Sequence, residues 1–137
     1  MLDKLRFETT HGVSIELPLS WGITWILGDG NTGKTYLFTE LQKFASVRNL
    51  NMLFINQNNM QNIQLIPNLS SDVFIVVDNY DLVHMEHPEI EAYLNTTEHQ
   101  ALVIGRDTVG LRVDFKYIFK LELRGKALIA EPYCKVE

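Results

Sequence analysis

The chain has 137 residues, 46% of them hydrophobic and 21% charged, with a formal net charge of -5. That composition supports one globular core and a single domain over residues 1–137. The negative balance disfavours a dedicated nucleic-acid binder, which needs a basic face. Arg106, Arg112, Lys116, Lys120, Arg124 and Lys126 do gather in the last third, but spread over strands they read as solvated faces. No run approaches the roughly 18 apolar residues of a membrane span. Met1–Arg6 carries charges with no apolar signal core after it. One cysteine, Cys134, excludes an internal disulfide and a cysteine-based zinc site, and suits a cytoplasmic location. His11, His84, His87 and His99 show no zinc-binding spacing; His84 and His87 read as a solvated loop beside Pro88.

In chain order, Leu5–Thr9 and Val13–Leu17 alternate apolar and polar residues around His11-Gly12, which predicts an antiparallel hairpin. Ile23–Leu27 is an apolar run and predicts a strand. Gly28-Asp29-Gly30-Asn31-Thr32-Gly33-Lys34-Thr35 follows at once and has the form G-x-x-x-x-G-K-[ST], the Walker A phosphate-binding loop. Leu37, Leu41, Phe44 and Ala45 then recur at helical spacing, so Lys34 to about Arg48 is expected to be an amphipathic helix, closed by Asn49 and Asn51. The motif therefore sits in the strand–loop–helix setting that its chemistry requires.

That chemistry explains each residue type. Phosphate oxygens need closely packed donors, and Gly28, Gly30 and Gly33 allow the backbone amides to approach them. The amides and dipole at the start of the following helix favour an anion. Lys34 would reach the β- and γ-phosphates as a point charge. Thr35 offers a hydroxyl to Mg²⁺, which prefers oxygen ligands. Asp29, Asn31, Thr32 and Tyr36 complete the expected nucleotide-binding set around these positions.

Met52–Ile55 predicts a short buried strand, and the Asn- and Gln-rich stretch 57–70 allows a short helix at most. Val73–Val77 is apolar and largely β-branched, as expected of a central strand, and it ends at Asp78. Pro88–Thr96 predicts a helix with proline at its start. Ala101–Ile104 is another buried strand, followed by Gly105-Arg106-Asp107. Phe115–Leu121 alternates, and Gly125-Lys126 turns it into Ala127–Ala130. Strands alternating with helices predict an α/β fold with a mainly parallel sheet and a ligand at the carboxyl ends of its strands.

Several further residues fall at those ends. Asp78 closes a buried strand as a Walker B aspartate does near Mg²⁺. Asn79 stands where many hydrolytic relatives carry Glu; an amide orients water but takes no proton. Asp81 is the nearest carboxylate that could stand in, and is equally explained as a helix cap or turn residue. Gln57 can contact Mg²⁺ or water, and Arg106 can sense a γ-phosphate through bidentate contacts.

On these residues the chain resembles P-loop NTPases over nearly its whole length. It is nearest the additional-strand ATPase branch, in which one sheet strand lies between the Walker A and Walker B strands. Trp21–Gly28 after the opening hairpin looks like the start of ABC and SMC-type nucleotide domains, and Gln57 is similar to the ABC glutamine loop. The closing strands from Tyr117 to Ala130 look like the terminal hairpin of an ABC core. Ala101–Asp107 looks like the strand-ending arginine motif of signalling STAND ATPases, and the small core is also AAA-like. Asn31 replaces a common glycine, no L-S-G-G-Q signature precedes Asp78, and helical lids are absent. The resemblance implies a three-layer fold with β-hairpins from both the N- and C-terminal parts.

The expected function is binding of ATP with Mg²⁺, with slow hydrolysis left open. Lys34, Asp78 and Arg106 are the expected catalytic residues; Thr35, Asp78 and Gln57 are the metal ligands. The missing glutamate and lids imply a switch or subunit that works with a protein partner or as a homo-oligomer; neither nucleic acid nor membrane is indicated. A small-molecule or nucleotide kinase, with Arg106 and Arg112 as lid arginines, and a degenerate interaction scaffold are the alternatives. A GTPase is disfavoured by the lack of an N-K-x-D motif.

Overall fold

The computed structural model describes residues 2–28, 34–70, 72–108 and 110–133, with Lys34 and Thr35 described by their backbone alone. In chain order the elements are β1 (Lys4–Glu8), β2 (Ser14–Pro18), β3 (Ile23–Leu27), α1 (Lys34–Arg48), β4 (Met52–Ile55), a 3-10 helix (Met60–Asn68), β5 (Phe74–Val77), α2 (Tyr80–Glu86), α3 (Glu89–Thr96), β6 (Ala101–Gly105), a 3-10 turn (Phe115–Tyr117), β7 (Ile118–Arg124) and β8 (Ala127–Pro132). The strands form one mixed sheet in the order β1-β2-β8-β7-β3-β6-β5-β4. Only β1–β2 and β7–β8 pair antiparallel, as the two expected hairpins; every other pairing is parallel.

β5 and β6 are apolar throughout and pack side chains on both of their faces. β5 and β6 are buried at every position. Phe74, Val76, Leu102, Ile104 and Ile26 pack in one core with Leu37, Phe38 and Leu41 of α1. Ile75, Val77, Ala101, Val103 and Trp25 turn the other way and pack with Ile63, Val83, Ile90 and Leu94 from the opposite helices. This period-two division of one apolar run is what a sheet strand requires. Each fully buried large side chain contributes about 1.5–3 kcal/mol of burial. At the end of α1, Asn49 takes φ 54° and Leu50 N donates to Ala45 O at 2.9 Å, so an Asn in the left-handed region closes the helix.

The structure adds two elements that periodicity left open. Ile63 and Ile66 are the buried residues of the Asn- and Gln-rich segment, and their spacing of one 3-10 turn explains why no α-pattern is visible there. α2 is short and buries Tyr80 and Val83. His84 therefore lies in a helix and not in a loop: its ring stacks on Tyr80 at 5.3 Å, and Nε2 is 3.1 Å from Glu91 Oε1.

Gly105 is closely enclosed by Trp25 and Tyr80. A Cβ there would lie 2.9 Å from Trp25 Cη2 and 3.1 Å from Tyr80 Cβ, and these two rings pack edge-to-face at 5.6 Å. Trp25 and Tyr80 are fully enclosed, so neither can yield cheaply. Gly105→Ala is expected to destabilise the fold by about 1–3 kcal/mol, measured by equilibrium denaturant unfolding.

Candidate functional site

The parallel register brings four strand ends to one edge. Leu27 pairs with Gly105, Val77 with Val103 and Ile55 with Val77. Gly28, Arg106, Asp78 and Gln57 follow or closely follow those ends on β3, β6, β5 and β4. β6 lies between β3 and β5, so one strand separates the strand leading to Gly28 from the strand leading to Asp78. The ladders run into the edge itself. Gly28 N donates to Gly105 O at 2.9 Å, and Asp78 N donates to Ile55 O at 2.9 Å. Both residues thus have backbones fixed by the sheet.

Asp78 is buried, and one carboxylate oxygen accepts from Asn79 N at 2.9 Å. A buried carboxylate must be hydrogen-bonded or paired, so a rigid, water-poor position like this one is chemically distinctive. Asn79 adopts φ 51°, ψ 48°, which turns the chain from β5 into α2. Its side-chain Nδ2 donates to Gln57 Oε1 at 2.9 Å, so the exposed Gln57 and the end of β5 are held together. Asp81 accepts from Arg106 N at 2.8 Å through Oδ2 and from Asp107 N at 3.3 Å through Oδ1. Both oxygens are engaged with backbone amides, which supports the turn-holding role for Asp81 over that of a water-activating base. Arg106 itself is exposed at the strand end.

Asp29, Gly30, Asn31, Thr32 and Gly33 lie outside the described residues, as do the side chains of Lys34 and Thr35; the backbone of both begins α1. Tyr36 points its hydroxyl to the β1–β2 turn: it donates to Thr9 Oγ1 at 2.7 Å and lies 3.3 Å from His11 Nδ1. Among the described residues no three His, Cys, Asp or Glu side chains group as a metal site, and no helix is long and apolar enough to cross a membrane. The basic residues near the C-terminus are partly neutralised, with Arg124 Nη2 lying 3.1 Å from Glu122 Oε2 and 2.6 Å from Glu131 Oε1.

Composition gave no hint of a second polar cluster, on α1. Glu40 is buried, and its carboxylate accepts from Thr10 Oγ1 at 2.9 Å and Thr10 N at 3.4 Å. His11 Nδ1 lies 3.2 Å away and Lys43 Nζ 3.6 Å. Phe44, on the same side of the helix, packs against Phe7 at 4.8 Å. Together with Tyr36 these contacts fasten the β1–β2 hairpin to the helix that carries Lys34. The sequence did contain a signal: Glu40 interrupts the apolar stripe Leu37, Leu41, Phe44, where an acid needs partners.

No protein-family model matches the chain, and no curated protein matches its sequence. A solved structure of the replication initiator DnaA bound to AMPPCP and single-stranded DNA is similar in fold, with TM-score 0.48 and 14% identity over 77% of this chain and 42% of that one. The chain thus spans less than half the length of that neighbour.

Burial raises the pKa of Glu40, but the Thr10 hydroxyl and amide, Lys43 and His11 outweigh it and hold the carboxyl below the usual value of 4.5. A depressed carboxyl stabilises the fold above its unfolded-state pKa and loses that contribution as pH falls through the folded value. Glu40→Gln is therefore expected to melt below wild type at pH 7. The difference in Tm should shrink as pH falls below about 4.5, which thermal unfolding at a series of pH values measures.

Proposed function

We propose that the carboxyl edge of the sheet binds ATP with Mg²⁺, and that the protein is a small P-loop NTPase of the additional-strand type with three layers. The observation that carries this reading is the coincidence of motif and topology. The G-x-x-x-x-G-K-T stretch lies between β3 and α1, and a buried Asp78 closes β5 with β6 between the two strands. Lys34 holds the β- and γ-phosphates, and the loop amides that follow Gly28, as far as Tyr36, surround them, the Gly28 amide itself being engaged with Gly105 O. Thr35, Asp78 and Gln57 supply oxygen to the metal ion, directly or through water. Arg106 reads the third phosphate from the neighbouring strand end.

Turnover is slow in this reading. Asn79 occupies the position next to Asp78, and its amide is engaged with Gln57. Asp81 has both oxygens on backbone amides. An amide takes no proton and the Asp81 carboxylate is engaged, so nucleotide occupancy acts chiefly as a state of the protein. Such a state is useful when a partner chain or a second copy senses it. A switch of this kind belongs in the cytoplasm, where ATP is abundant.

Isothermal titration with ATP–Mg²⁺ tests the proposal. Wild type is expected to bind, and Lys34→Ala to bind at least about tenfold more weakly, a loss of about 1.4 kcal/mol. Absence of binding by wild type, or equal binding by the variant, refutes it. Phosphate release by the isolated protein is expected to stay well below about 1 s⁻¹, the low end of ordinary enzyme turnover.

A further inference from the structure

Asp81 links the two strand ends that flank the phosphate edge. It lies in the first turn of α2, and α2 continues directly from β5 through Asp78 and Asn79. Its carboxylate leaves that helix to take the backbone amides of Arg106 and Asp107, at 2.8 and 3.3 Å, just past the end of β6. The two bonds use different oxygens, so the carboxylate is fixed in orientation as well as position. Two amides held by one charged acceptor restrict the loop's conformation at that point.

Gly110 and Arg112, further along the chain, are held from the same side. Asn95 of α3 donates through Nδ2 to Gly110 O at 2.7 Å and accepts from Arg112 N at 2.8 Å. Gly110 has φ +82°, and the space a side chain would need there is filled by the Glu91 carboxylate. The backbones of Arg106, Asp107, Gly110 and Arg112 are thus held by α2 and α3, and Arg106 is exposed at the edge. On the other side, Asn79 ties the start of α2 to Gln57. The Gln57–Asn79 bond and the bond from the Arg106 amide to Asp81 thus link the ends of β4 and β5 and of β5 and β6 in turn.

We propose that Asp81 is a positioning residue for recognition of the third phosphate: it holds the Arg106 backbone in register with Asp78, so that ATP and ADP are told apart by both strand ends together. This rests on the ATP-binding reading given above. Asp81 touches no phosphate. Its effect reaches the nucleotide through Arg106, and ADP, lacking the third phosphate, is indifferent to it.

The test is titration of the full chain with ATP–Mg²⁺ and ADP–Mg²⁺, in wild type, Asp81→Ala, Asp81→Asn, Arg106→Ala and the Asp81→Ala/Arg106→Ala double variant, with Tm recorded for each. Wild type is expected to prefer ATP. Asp81→Ala should lower ATP affinity about tenfold, within the usual range of coupling between sites, and leave ADP affinity within about twofold. Asp81→Asn retains one acceptor oxygen and should fall between the two. The double variant should bind ATP no more weakly than Arg106→Ala alone, because the two residues act through one contact. Parallel losses for ATP and ADP would assign Asp81 a purely structural role, and unchanged ATP affinity or additive losses would also overturn the proposal. If Asp81→Ala does not fold, the ATP-to-ADP ratio of Asp81→Asn decides. A wild type that binds neither nucleotide refutes the underlying reading, and this role with it.

Discussion

The parallel ladder β4–β5–β6–β3 is the constraint on which everything else depends. Each strand in it ends at nearly the same level, so residues far apart in sequence arrive at one edge without any further device. The ladder continues one residue beyond β3 and β5, through the amides of Gly28 and Asp78. Those two backbones are consequently as rigid as the sheet. Groups held in place before a ligand arrives lose little entropy when it binds.

Packing beneath the edge maintains the ladder's geometry. Trp25 on β3 and Tyr80 at the start of α2 close over Gly105 on β6, so three elements of the edge share one contact. Above it, polar side chains take over: Asn79 reaches Gln57 and Asp81 reaches Arg106 and Asp107. On the other face, buried Glu40 and Tyr36 fasten the β1–β2 hairpin to α1. The hairpin is therefore tied by side-chain contacts to the helix whose first residues are Lys34 and Thr35.

Much of this architecture was legible in the sequence because it depends on local pattern. β3, α1 and β4 fall where their apolar runs and helical spacing place them, and both hairpins were readable from alternation around Gly12 and Gly125. Helix α2 was not, since its two buried residues come from tertiary packing against Trp25 and Val103, not from a repeat that seven residues could display. The polar links were hidden for a similar reason. The sequence marks Asp81 as a turn or cap candidate and Glu40 as an acid within an apolar stripe, but their partners, the amides of Arg106 and Thr10, come from distant segments that only the fold brings to them. Expected phosphate-binding positions Asp29 to Gly33 lie outside the described residues, so their place at the edge rests on motif and on the flanking strand and helix.

Hydrogen–deuterium exchange of the full chain with and without ATP–Mg²⁺ tests the central claim most directly. The account predicts that added nucleotide slows exchange at the start of α1 and just beyond β4, β5 and β6, around Gln57, Asn79 and Arg106. The opposite end of the sheet, where Gln100 holds Leu2 and Ser20, should be unaffected. Protection confined to that opposite end, or no change anywhere at saturating ATP, would contradict it.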